Sequence, residues 1–219
     1  MTEEHRGPAA GGATASASAT KGGAPRRGVV TRRTRETDIH VEVDLDGRGS
    51  ASIQTPLPFL DHMLEQIARH GGVDLTVTAR GDTHIDGHHT TEDLGIALGQ
   101  AVLAALGEKV GIARYGWALL PMDEARAKVA IDLSGRTFFV WEVPMPKAKL
   151  GTWDTELAEV FFEGFCRGVA CNLHVVLERG ENLHHVTEVC FKAFARALRA
   201  ACRRDGGGDV PSTKGTLAG

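Results

Sequence analysis

Apolar and polar residues alternate over two stretches of the chain. Val41 and Val43 alternate with polar neighbours, as do Val129 and Ile131, so residues 37–45 and 125–133 are predicted to be half-buried strands. Asp46-Gly47 and Ser134-Gly135 follow as turn signals, and predict hairpins into 49–55 and 137–143. Residues 59–70 and 155–169 carry a helical pattern, and Leu75–Thr78 and Leu173–Leu177 again read as strands. After His89, a single helical face collects Leu94, Leu98, Ala101, Val102, Ala105 and Leu106. After His185, another collects Cys190, Phe194, Leu198 and Ala201. The order is strand, strand, helix, strand, helix, twice over. It predicts an α+β fold of two duplicated β-β-α-β-α halves packed as one domain.

The residues themselves repeat. Glu36–Arg48 resembles Glu124–Arg136 at a constant offset (124 − 36 = 88, 136 − 48 = 88), and both segments end in Asp-Leu-x-Gly-Arg. His88-His89-Thr-Thr-Glu92 resembles His184-His185-Val-Thr-Glu188, with 184 − 88 = 96. Two matches in the same order in both halves argue for duplication. The repeats are placed near 29–120 and 121–205, within a domain of 29–215. Residues 1–28 are Ala, Gly, Ser and Thr with scattered bases, which cannot offset their ordering entropy by burial and predict a disordered tail.

Composition narrows the function classes. The chain has 219 residues and a formal net charge of -3, which gives no case for nucleic acid or an anionic membrane surface as partner. No apolar run reaches the length of a membrane span. Acidic Glu3 and Glu4 stand where a signal peptide carries bases, and Cys166, Cys171, Cys190 and Cys202 form no C-x-x-C pair. A reducing cytoplasm is expected. The unusual number is ten histidines beside one tyrosine.

Their positions give them a purpose. His88 and Glu92 are four residues apart at the start of a predicted helix, so they share a face and are able to grip one metal ion. His89 is rotated by about 100° and points elsewhere. His184, Glu188 and His185 repeat the arrangement. Two motifs that each feed two directions predict two crossed sites, each with a His-Glu pair from one motif and the odd His from the other. Imidazole and carboxylate suit divalent Mn, Fe, Co or Zn. His62 and His174 are the remaining candidate ligands. The pattern is neither the H-E-x-x-H of zinc proteases nor the H-x-E with P-C-x-x-C of zinc deaminases.

The chain closely resembles the imidazoleglycerol-phosphate dehydratase family. The resemblance rests on Arg35-Glu36-Thr37, Pro58–Leu64, His88–Asp93, Arg114-Tyr115-Gly116, Pro121–Ala125, Asp132–Arg136, His184–Glu188 and Pro211–Gly215, in order along the chain. It implies two halves similar to the second domain of ribosomal protein S5. It also implies two Mn2+ ions per active site and a homo-oligomer of 24 subunits with sites at subunit interfaces. One ion would take His62, His88, Glu92 and His185; the other would take His89, His174, His184 and Glu188. The implied reaction converts D-erythro-imidazole glycerol phosphate to imidazole acetol phosphate and water, in histidine biosynthesis.

That reaction explains the need for metal. The proton to be lost sits on a carbon with no carbonyl beside it. Ions on the ring nitrogens would favour imidazolate, which expels hydroxide, and the resulting diazafulvene acidifies the neighbouring C–H. Glu36 is the candidate acid/base, with its repeat partner Glu124 second. Gln66 and His70, one and two turns after His62, are candidate substrate contacts. Arg114, Arg136, Lys192, Ser212 and Lys214 are the implied phosphate ligands. Pro211–Gly215 lies in a Gly-rich stretch, and is expected to order over the phosphate.

Overall fold

The computed structural model describes residues 25–217, so most of the predicted tail lies outside the described residues. The first half runs β1 (Arg27–Arg33), β2 (Thr37–Asp44), β3 (Ala51–Gln54), α1 (Pro58–Gly71), β4 (Asp74–Gly81) and α2 (His88–Leu106). The second runs β5 (Tyr115–Met122), β6 (Ala125–Asp132), β7 (Phe138–Glu142), a short hairpin of β8 (Lys149–Leu150) and β9 (Trp153–Asp154), α3 (Leu157–Val169), β10 (Asn172–Arg179) and α4 (Leu183–Cys202). The fold is α+β and duplicated, as predicted. The two four-stranded sheets have matching orders, β1-β2-β4-β3 and β5-β6-β10-β7. The β8–β9 hairpin is inserted only in the second half, which is why the repeat offset grows from 88 to 96.

Three expectations are corrected. Each half opens with a strand that periodicity does not reveal, so the halves are β-β-β-α-β-α. β1 begins at Arg27, inside the stretch assigned to the tail, and β5 crosses the assigned boundary between residues 120 and 121. Both are edge strands. β1 buries only Gly28, and β5 carries Pro121, which an edge tolerates. The expected hairpins also do not form. β3 and β7 pair in parallel with β4 and β10, which insert beside β2 and β6. A turn signal reverses the chain but does not choose its neighbour.

The new first strands carry the duplication further. A Cβ on Gly28 would meet the carbonyl oxygen of Ala101 at 1.9 Å, and one on Gly116 would meet that of Ala197 at 2.0 Å. The offsets are again 88 and 96 (116 − 28 and 197 − 101). Glycine lets α2 and α4 lie directly on the first strand of their own sheet. Gly116→Ala is expected to destabilise the fold by about 1–3 kcal/mol through overpacking. Denaturant unfolding checks it, and an unchanged midpoint would contradict this contact.

The helices of the two halves interlock, α2 against α3 and α1 against α4, each also resting on its own sheet. Glycines bring α2 and α3 close together. Gly95 lies against the Phe161 carbonyl and Gly99 against that of Phe165, so the two helices run parallel. His62 lies beside Glu188 and Gly71 near Ala195, so α1 and α4 are parallel too. Phe161, Phe162, Phe165, Phe191 and Phe194 fill the space between α3 and α4, with Phe162 and Phe191 ring centroids 4.6 Å apart. Each such ring contributes roughly 1.5–3 kcal/mol by burial. The outer face of the second sheet stays open, with Tyr115, Trp117, Leu119 and Phe138 exposed.

Candidate active site

α1 and α4 run parallel with their histidines facing. His184 Nε2 lies 3.0 Å from Glu188 Oε2, and His62 Nε2 lies 3.4 Å from the same oxygen. One donor atom from each of the three residues lies within 4.8 Å of the others. Two imidazoles and a carboxylate converging on one point fit a divalent transition ion, with coordination positions left for substrate. The edge of the Phe59–His184 ring pair closes one wall at 5.2 Å, and the inserted hairpin backs it with the fully buried Trp153. Burial raises the Glu188 carboxyl, but Lys192 and His184 outweigh it and hold the group below its usual range. Lys192 Nζ donates to Glu188 Oε1 at 2.7 Å and also meets Met122 Sδ. Lys192 is thus part of the ion-pair network around Glu188.

Further along α1, Gln66 Nε2 reaches the His62 carbonyl at 3.3 Å and His62 Nδ1 at 3.4 Å. His70 sits near Lys192 and Arg196; burial and those cations push its pKa down. Both residues line the α1–α4 strip that leads away from the histidine cluster.

The adjacent imidazoles reach different partners, His184 meeting Glu188 and His185 meeting Glu124. The rings of His88 and His89 are edge to face, as are those of His184 and His185. His89 Nδ1 donates to Asp82 Oδ2 at 2.9 Å, with Glu36 Oε2 further off at 3.8 Å. His185 Nδ1 donates to Glu124 Oε2 at 2.8 Å. The bond from His185 and the backbone N–H of Asn182 hold the Glu124 carboxyl at about 2. Asp82 raises the pKa of His89, and Glu124 does the same for His185. Glu124 is thus held both by His185 and by the loop that precedes α4. Glu36 keeps a side chain that is 53% exposed. Glu92 is paired with Arg167.

A third group of residues lies elsewhere. Arg114, Arg136, Ser212 and Lys214 line one cleft of about 730 Å³ together with Tyr115. Pro211–Gly215 is held by contacts within the chain. Its Ser212 carbonyl closes a turn with the Gly215 N–H, and Arg114 donates to the Pro211 carbonyl at 2.8 Å. Arg114 also makes a two-pronged pair with Asp132 at 2.7 and 3.1 Å. Arg114 thus ties the segment down and leaves Arg136 and Lys214 as the cleft's open cations.

This cleft is at the far end of α4 from the histidines. The Arg114 N–H donates to the Ala201 carbonyl, near the end of the helix that begins beside His184. At 1.5 Å per residue the separation is about 25 Å. His174 is exposed on the outer face of the second sheet, against Phe138 and one pair of residues along from the row Tyr115–Asp132–Asn172–Phe138 that borders the cleft. Among the described residues, no ion pair joins His62 to His88, Glu92 or His185. Within one chain it stands with His184 and Glu188, the ligands implied for the other ion.

Residues 55–198 match the family model described as imidazoleglycerol-phosphate dehydratase. The chain belongs to the imidazoleglycerol-phosphate dehydratase family. It is 55% identical to the dehydratase of Ruegeria pomeroyi over 194 residues, covering 88% of this chain and 100% of that one. The Ralstonia nicotianae dehydratase is also 55% identical, with 88% and 99% covered. The crystal structure of the Staphylococcus aureus dehydratase superimposes with a TM-score of 0.74 at 37% identity, covering 81% of this chain and 99% of that one. That of the Pyrococcus furiosus dehydratase, in complex with (S)-C348, gives 0.72 at 35%, covering 85% and 99%. Membership makes the protein a dehydratase, a hydro-lyase of histidine biosynthesis. Sequence reading missed Asp82, Arg167 and Phe59, which touch the candidate ligands. Asp82 and Phe59 have no copy in the other half, so the duplication gave no signal for them; Arg167 repeats as Arg69 in the last turn of α1.

Proposed function

We propose that this dehydratase converts D-erythro-imidazole glycerol phosphate to imidazole acetol phosphate in the cytoplasm, with two Mn2+ ions held by His62, His88, His89, Glu92, His174, His184, His185 and Glu188. The convergence of His62, His184 and Glu188 carries the reading, because His-His-Glu donors suit a Lewis-acid ion. When bound, the ions draw electrons from the substrate's imidazole ring and ease loss of hydroxide. Phe59 and Trp153 exclude water from one side of the His62–His184 cluster. Glu36 moves the proton, being the exposed carboxylate next to His89. Arg136, Ser212 and Lys214 hold the phosphate, with Arg114 fixing the segment that carries two of them.

The separation along α4 gives the reading a quaternary consequence. A small phosphorylated substrate does not span the distance from His184 to the Arg136–Lys214 cleft. The site is therefore completed between copies of the chain, in the proposed 24-subunit assembly. The open sheet face that carries His174 and Trp117, beside the cleft, supplies an apolar contact surface for it. Sedimentation of the full chain at its own 23.4 kDa would remove this part of the proposal.

The test is dehydration of imidazole glycerol phosphate by stripped protein reloaded with each metal in turn. Activity is expected to vanish on chelation and return most fully with Mn2+. Metal-loaded protein that leaves the substrate intact would refute the function. Deleting residues 211–219 is expected to raise KM at least tenfold while leaving bound metal unchanged, because phosphate contacts cost about 1.4 kcal/mol or more when lost. Steady-state kinetics check it, and an unchanged KM would refute the role of Ser212 and Lys214.

A further inference from the structure

The two halves place a glutamate at the same point, just before or at the start of their second strand, and the two glutamates have different surroundings. Glu124 lies against His185, and its second oxygen accepts the backbone N–H of Asn182 at 2.8 Å. Asn182 in turn caps α4, its side-chain oxygen accepting from the N–H groups of His184 and His185. Glu124 thus fixes both the ring of His185 and the loop that starts the helix bearing it. Glu36 stands opposite His89 in the equivalent place, but Asp82 has taken the contact with Nδ1. The second half has no counterpart of Asp82. At the end of β10, Glu178 pairs with Arg126, and Gly180 has no side chain.

In both halves a carboxylate therefore meets Nδ1 of the odd imidazole at 2.8–2.9 Å, while Nε2 is left to other partners, Asp123 Oδ2 at 3.7 Å in the case of His185. From this exchange we infer that Asp82 and Glu124 are equivalent positioning residues, each orienting one metal-ligating imidazole, and that Asp82 is what releases Glu36 for proton transfer. The inference rests on the metal reading above. A carboxylate behind a ligating imidazole fixes its tautomer and typically carries 10–100-fold in metal affinity. The duplicated fold is thus chemically unequal. One glutamate of the repeated pair holds a ligand, and the other is left open to the substrate.

Metal titration of stripped full-length protein with Mn2+ or Co2+, without substrate, tests it. Glu124→Gln keeps an oxygen for the Asn182 N–H but loses the carboxylate. It and Asp82→Asn are each expected to weaken one class of ion by roughly 10–100-fold and to change the Co2+ absorption spectrum. Glu36→Gln is expected to leave both affinities at the wild-type value. Glu124→Asp, which keeps the charge, is expected to recover part of the loss. A purely structural role would lower the unfolding midpoint of the stripped Glu124→Gln protein and leave the ion affinities alone, which would overturn the inference. Equal loss of metal in Glu36→Gln and Asp82→Asn would also overturn it. Since no turnover is read, a protein that shows this pattern but fails to dehydrate its substrate would sink the proposed function and leave the positioning roles standing.

Discussion

Glu188→Gln is expected to abolish both tight metal binding and turnover. The carboxylate is nearly buried at 6% exposure and is shared by three cationic or imidazole groups: Lys192 at 2.7 Å, His184 at 3.0 Å and His62 at 3.4 Å. Glutamine keeps the size and removes the charge that both the ion and Lys192 need. Residues that only orient a ligand carry about 10–100-fold in affinity, so a direct ligand is expected to exceed the upper end of that range. Turnover falls with it, since the Lewis-acid step depends on the ion. Metal titration and an activity assay at saturating Mn2+ check the two parts. A variant that binds metal with wild-type affinity would show that the His62–His184–Glu188 cluster is an ordinary ion-pair network. Stripped wild-type protein serves as the control for folding.

Glu36→Gln has the opposite profile. Turnover is expected to fall roughly 10²–10⁴-fold, about 3–5 kcal/mol in the barrier, with metal content and assembly unchanged. The reason is in its surroundings. Glu36 lies 3.8 Å from His89, whose Nδ1 is already held by Asp82, and more than half of its side chain is open. Its carboxylate is thus open to a substrate beside His89. Near wild-type kcat in this variant would remove it from the mechanism. Glu124→Gln separates the two glutamates, because its expected defect appears in metal affinity before it appears in kcat at saturating ion.

The ligand motifs were legible because helical geometry is local. His88-His89-x-x-Glu92 and its copy fix, by spacing alone, which side chains share a face and which diverge, and the separate partners of His184 (Glu188) and His185 (Glu124) follow. The constant offsets made the duplication legible as well, and the glycines under α2 and α4 extend the same arithmetic to strands with no readable pattern. β1 and β5 were invisible because their burial alternates but their hydrophobicity does not: Gly28, Gly116 and Ala118 face inward, while Val29, Tyr115, Trp117 and Leu119 face outward. The C-terminal segment looked structureless by composition. It is ordered by contacts made far along the chain, Arg114 to Pro211 above all.

The sequence by itself therefore determined which side chains are candidate ligands, their directions on each helix and the twofold plan of the chain. All of these depend on residues a few positions apart, where backbone periodicity leaves little choice. Tertiary structure alone decided three things. It brought His62 to His184 and Glu188 across two packed helices. It gave the two equivalent glutamates different surroundings through the presence of Asp82 in only one half. It put the Arg136–Lys214 cleft and the His62–His184 cluster at opposite ends of α4. Each is a matter of which distant segments close upon one another, and that is set by sheet order and helix packing, which no local spacing records.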